Sequence, residues 1–189
     1  VVSGLPRSGT SMMMRMLKAG GLKPLADGLR EADEDNPRGY FEFERVKGLP
    51  ADRAWLDEAG GRAVKVISGL LEHLPRDRSY RVVFLHRTLA EVLASQRRML
   101  ERRGRPADPS SDAKMGALFE KHLAAVARML EERSEIAVLN LNHGEVLADP
   151  RLAATRIAAF LADLAALDTD AMAAAVDPAL YRQRVVTPA

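Results

Sequence analysis

The segment Gly4-Leu5-Pro6-Arg7-Ser8-Gly9-Thr10-Ser11 follows a short apolar run, Val1-Val2-Ser3, and precedes a stretch with helical periodicity. In that setting it can cradle an anion. Gly4 and Gly9 let the backbone turn and approach a bound group closely, and the first N–H groups of the following helix present the positive end of its dipole. Thr10 and Ser11 add hydroxyl donors. Arg7 adds a guanidinium that stays charged and offers a fork of donors, which suits an electrostatic clamp and not a proton donor.

The spacing from Gly4 to Gly9 matches a Walker A loop, but Thr10 stands where the lysine should follow the second glycine. A nucleoside triphosphatase needs that lysine on the terminal phosphates and a carboxylate, usually at a neighbouring strand end, for magnesium. Here the expected strand ends carry Ser68, His86-Arg87 and Asn142. The loop therefore reads as one that holds an anion by arginine and backbone.

Other side chains could move a proton or meet a charge. Glu42 emerges from Gly39-Tyr40-Phe41 beside apolar residues, where desolvation would favour a general base; a surface helix-start role suits it equally. Glu44 is the runner-up. Lys65 either reaches the reacting group or snorkels at the sheet edge. His86 precedes Arg87 and is a candidate for the same site, whereas His122 shares an apolar stripe with Leu118, Leu123 and Val126 and reads as a satisfied core histidine. No His, Asp or Glu cluster has metal-ligand spacing, and no metal is expected.

These groups need a scaffold. Apolar runs at Val1–Ser3, Ala63–Ile67, Arg81–His86 and Ile136–Leu141 read as strands. Helical patterns cover Gly9–Ala19, Leu89–Arg103, Asp112–Arg133 and Arg151–Leu164. The alternation implies an α/β domain with a parallel sheet. Met12, Met13, Met14 and Met16 read as core filling, and Leu89, Val92, Leu93, Gln96 and Leu100 as the packed stripe of their helix, with Glu91 and Ser95 on a neighbouring stripe.

The 189 residues suit one domain spanning 1–189. An apolar fraction of 47% without a bilayer-length apolar run fits a soluble globular chain. A net charge of +2 does not make nucleic acid or a membrane a default partner. The local run Arg97, Arg98, Arg102, Arg103 and Arg105 is either a solvated helix face or an attractor of anionic substrate. With no cysteine and no leader ahead of Val1, the cytoplasm is the expected compartment.

Pro6-Arg7-Ser8-Gly9-Thr10, with Ser11, resembles the 5'-phosphosulfate loop of the sulfotransferase family. Arg87, with Ser95 eight residues on, is similar to the family's 3'-phosphate motif, and Glu91 to an acidic residue often found between them. Asp35-Asn36-Pro37-Arg38-Gly39-Tyr40-Phe41-Glu42 and Glu145-Val146-Leu147-Ala148-Asp149-Pro150 look like segments of bacterial members, so that the resemblance runs from Val1 to about Leu164.

It implies a three-layer P-loop-like domain, its central parallel sheet flanked by helices. It also implies transfer of a sulfuryl group from 3'-phosphoadenosine 5'-phosphosulfate to a hydroxyl or amine of a small-molecule or glycan acceptor, without metal. On it, Pro6, Arg7, Ser8, Gly9, Thr10, Ser11, Arg87 and Ser95 would bind the donor, with Arg7, Glu42 and Lys65 as the catalytic candidates. The chain departs from the family in having Arg7 where many members have lysine, Ile67 and Ser68 where a catalytic histidine would be sought, and no glycine in Tyr181-Arg182-Gln183-Arg184. The adenosine end would then fall to Arg182 or Arg184. A P-loop nucleotide or metabolite kinase, and a non-catalytic nucleotide-binding protein, are the alternatives.

Overall fold

The computed structural model describes residues 1–34, 36–105 and 110–180. Among them the strands are β1 (Val2–Gly4), β2 (Tyr80–His86) and β3 (Ile136–Asn142), and they form one parallel sheet in the order β1-β2-β3. The register places Ser3 opposite Phe84 and Phe84 opposite Asn140. The helices are α1 (Thr10–Ala19), α2 (Leu89–Arg102), α3 (Ser110–Glu131), α4 (His143–Ala148), α5 (Pro150–Phe160) and α6 (Thr169–Ala174).

β2 is apolar almost throughout because both of its faces are covered. Val83 and Leu85 point into a core shared with Met13, Met14, Met16, Ala154 and Met172, while Val82 and Phe84 point into a second core with Trp55, Leu71 and Val126. β3 divides in the same way, Leu141 to the first cluster and Ile136 to the second. The period of two along each strand thus commits α1, α5 and α6 to one face and α3 to the other. The methionines of α1 fill the core as expected.

Two expectations on the scaffold need correction. Ala63–Ile67 is not a strand: it lies parallel to β1 with a single bridge, Val2 to Lys65, supported by Val2 N to Val64 O at 2.8 Å and Val66 N to Val2 O at 3.0 Å. The segment then runs into the helical turn Ser68–His73. In α2 the buried residues are Glu91, Val92 and Ser95, so Val92 of the apolar stripe and the two polar groups beside it face inward, while Leu89, Leu93, Gln96 and Leu100 are only partly buried.

The last expected helix is shorter and differently begun. Asp149 caps α5 by accepting from Leu152 N at 2.9 Å, and Pro150 occupies its first turn, where a missing N–H costs nothing.

A buried cation ties the second core together. Arg133 donates to the carbonyls of Leu71 (3.2 Å), Glu72 (3.3 Å), Leu74 (2.7 Å) and Pro75 (3.4 Å) and pairs with Glu135 at 2.6 Å. It satisfies the end of the turn Ser68–His73, which has no helix to continue into. Replacing Arg133 with alanine should lower the unfolding free energy by about 3 kcal/mol. Urea denaturation measures this, and an unchanged midpoint would mean that those carbonyls find other donors.

Candidate functional site

The chain leaves β1 at Gly4 and re-enters regular structure at Thr10, and the five residues between them are shaped from within and from behind. Ser8 N donates to Leu5 O at 3.1 Å, closing the turn. Gly4, at φ 145°, has no room for a side chain: a Cβ there would sit 2.6 Å from Leu85 O. Gly9, at φ 104°, would drive a Cβ into the ring of His143. Both glycines are thus required by close approach as well as by backbone angle.

Arg7 adopts φ 71°, a left-handed conformation that a non-glycine residue takes only at a cost of about 1–2 kcal/mol. Two contacts hold it, one from Arg87 just ahead of α2 and one from Ser95 within it. Arg87 Nη1 donates to Arg7 O at 3.0 Å, and Arg7 Nε donates to Ser95 Oγ at 2.9 Å. Arg87 is itself set by Glu91, whose carboxylate accepts from Nε at 2.9 Å; the two side chains are only 9% and 6% exposed. The inward polar stripe of α2 therefore exists to meet the loop.

Around this junction lies a cleft of about 480 Å³. It is lined by Pro6, Arg7, Gly9, Thr10, Ser11, Glu42, Lys65, Arg87 and Ser95, so these residues, far apart in sequence, come to one place. Ser8 is the exception. It turns inward, and its buried Oγ has no hydrogen-bond partner among the described residues.

Lys65 is reached from the segment beside β1 and donates to Ser11 Oγ at 3.0 Å and to the carbonyl of Tyr40. Burial brings its ammonium down to about 8; Glu42 opposes the shift, and the positive charges of Arg30 and Arg7 add to it. Of the two readings of Lys65, a solvent-seeking edge residue is therefore overturned: the side chain is buried.

Glu42 is not desolvated among apolar side chains, as Gly39-Tyr40-Phe41 suggested. It forms an ion pair with Arg30 at 2.9 Å, and Arg30 in turn stacks over the Tyr40 ring at 3.4 Å. Glu44 pairs with Lys47 on the surface. Tyr40 donates to Asp33 Oδ1 at 2.6 Å, and burial together with that bond pushes its phenol up to about 12.

His86 does not line the cleft; it bonds Asn140 Oδ1 at 2.8 Å. His122 is satisfied by Ser68 Oγ at 2.8 Å, though only partly buried. Arg182 and Arg184, and Asp35 of the Asn36-Pro37 segment, lie outside the described residues.

Sequence reasoning missed Arg15, Arg30 and His143, all of which line the cleft. Arg15 falls one helical turn after Ser11, a spacing that would have placed it on the same face of α1. His143 carried no such signal. It is the first residue of α4, 6% exposed, and burial, with the Arg87 charge adding and Glu91 opposing, brings its imidazole down to about 4.

Chemically the site is a cationic cleft with the Gly4–Thr10 loop in its wall. Arg7, Arg15, Arg30, Lys47, Lys65, Arg87, Arg98, Arg102 and Arg103 line it against the carboxylates of Glu42 and Asp177. Compared with known proteins, the chain matches no protein-family model and no curated protein.

Two outcomes follow from this geometry. Arg87→Ala removes the cation beside a buried carboxylate and should cost about 3–5 kcal/mol, whereas Arg87→Met with Glu91→Leu should recover most of that; chemical denaturation of both variants decides it. A double variant as unstable as the single one would put the loss in the contact with Arg7 O.

His143 sets a pH dependence. Its folded value lies below the ordinary 6.5, so the unfolded chain binds the extra proton first; the stability it contributes is complete above about pH 6.5 and drains away as the pH falls toward about 4. His143→Asn should flatten that part of the stability profile. Parallel losses in wild type and variant between pH 7 and 4.5 would show that His143 does not titrate in this way.

Proposed function

We propose that the chain is a sulfotransferase that moves a sulfuryl group from 3'-phosphoadenosine 5'-phosphosulfate to a hydroxyl or amine, and that its α/β domain is of the three-layer P-loop-like kind. One observation carries the reading: Arg87 and Ser95 converge on Arg7 of the loop, so that a 5'-phosphosulfate site and a candidate 3'-phosphate site share one junction. A donor with anions at both ends of a ribose fits such a pair. The strand ends beside the loop, His86 and Asn142, are not carboxylates, which speaks against a magnesium-dependent kinase.

In the proposed reaction the acceptor oxygen or nitrogen attacks sulfur, forming the new S–O or S–N bond as the bond from sulfur to the bridging phosphate oxygen breaks. Charge gathers on the departing phosphate. Arg7, the first N–H groups of α1 and Lys65, held through Ser11, stabilise it. The acceptor's proton passes to a base, for which Glu42, on the cleft wall beside Arg30, is the candidate. The donor leaves as 3'-phosphoadenosine 5'-phosphate.

Calorimetric titration tests the donor half. The protein should bind 3'-phosphoadenosine 5'-phosphate at least about tenfold more tightly than adenosine 5'-phosphate, because a hydrogen bond to a charged group is worth roughly 1.5–3 kcal/mol. Ser95→Ala should reduce the preference, and Arg7→Ala should slow single-turnover transfer by about 100-fold. Equal binding of the two nucleotides by the wild type sinks the assignment, and tight binding of ATP only with magnesium would favour a kinase.

A further inference from the structure

Beyond its contact with Arg7 at Ser95, α2 runs on for two more turns along the cleft, carrying Arg98 and Met99 about 5 Å and Arg102 and Arg103 about 10 Å further along its axis. Arg98 and Arg102 stand at i and i+4, a like-charge spacing that destabilises an isolated helix. The helix dipole accounts for cations in the last turn, but Arg98 lies a turn earlier. Its neighbour Arg97 points elsewhere and is neutralised by Asp112, whereas neither Arg98 nor Arg103 has a carboxylate within ion-pair distance among the described residues.

Apolar side chains share the cleft with these arginines. Ile67 is 47% exposed and lines the cleft with Leu70 and Met99. It stands two residues from Lys65, so the extended backbone puts the two side chains on one face, a cation for the reacting group and a greasy contact beside it. An exposed isoleucine in a cleft also lined by arginines has a ready use in a ligand that is apolar in body and charged at one end.

Resting on the sulfotransferase reading, we propose that the acceptor is an amphipathic anion: its apolar body lies on Ile67, Leu70 and Met99, its nucleophile reaches Arg7, and its own carboxylate, phosphate or sulfate is met by Arg98 and Arg103. The donor's anions are met at the loop, by Arg7, Lys65 and Arg87. The arginines further along α2 serve the second substrate.

The test uses protein saturated with 3'-phosphoadenosine 5'-phosphate and titrated with ω-hydroxycarboxylates of six, eight and ten carbons, each against the diol of equal length. At least one carboxylate should bind about fivefold or more tightly than its diol, with the difference shrinking as salt is raised. Arg98→Glu with Arg103→Glu should abolish or reverse the preference, while Arg97→Gln, off the cleft, keeps it. Should 3'-phosphoadenosine 5'-phosphate bind but every carboxylate bind no better than its diol, the acceptor proposal is wrong and the donor reading stands. Should 3'-phosphoadenosine 5'-phosphate itself fail to bind, both fall.

Discussion

The Arg87 guanidinium, shared between the Glu91 carboxylate and the Arg7 carbonyl, is the constraint on which the site depends. A loop with a non-glycine residue in the left-handed region would relax unless something held it. Here the hold comes from Arg87, eighty residues later in the chain and just ahead of α2, and it comes with a buried ion pair. Such a pair adds little net stability compared with apolar packing, since desolvation offsets most of the attraction. What it provides is position: Glu91 fixes the guanidinium, the guanidinium fixes the carbonyl, and the backbone of the anion loop is set before any ligand arrives.

The rest of the fold can be understood as support for that junction. Parallel pairing of β1 with β2 brings Gly4 level with Leu85, so the loop and the start of α2 leave the sheet at the same edge. Open α/β sheets bind ligands there because the strand ends and helix starts leave a crevice with unpaired N–H groups. β3 ends at the same edge, and His143, the residue after it, packs under Gly9. The imidazole is kept neutral by burial and by Arg87, so it supports the loop without adding charge.

Electrostatics then decide what the crevice accepts. Its cations outnumber its carboxylates, and those of the loop differ in kind from those further along α2. Arg7, Arg87 and Lys65 are held by hydrogen bonds to other parts of the site. Arg98 and Arg103 are exposed and adaptable, which suits recognition of a bound group more than chemistry on it.

Much of this was legible before any coordinates. The loop from Gly4 to Ser11, the strand ending at His86 just before Arg87, the methionine core under α1 and the parallel α/β plan all follow from local spacing, because glycines, β-branched runs and helical periods act over a few residues. Long-range matters were not legible. Ala63–Ile67 has the composition of a strand, but only the tertiary structure shows that it meets β1 at a single bridge before turning into Ser68–His73. Glu42 has apolar neighbours in sequence, yet Arg30, brought across by the loop, pairs with it. The apolar stripe of α2 outweighed Glu91 and Ser95 by hydrophobicity alone, and no periodicity could announce that contacts with the loop would bury those two beside Val92. Residue types and their local spacing determined which chemistry this chain can hold; which groups meet was decided by chain segments distant in sequence, whose charges and hydrogen bonds interact only once the sheet has brought them within a few ångströms.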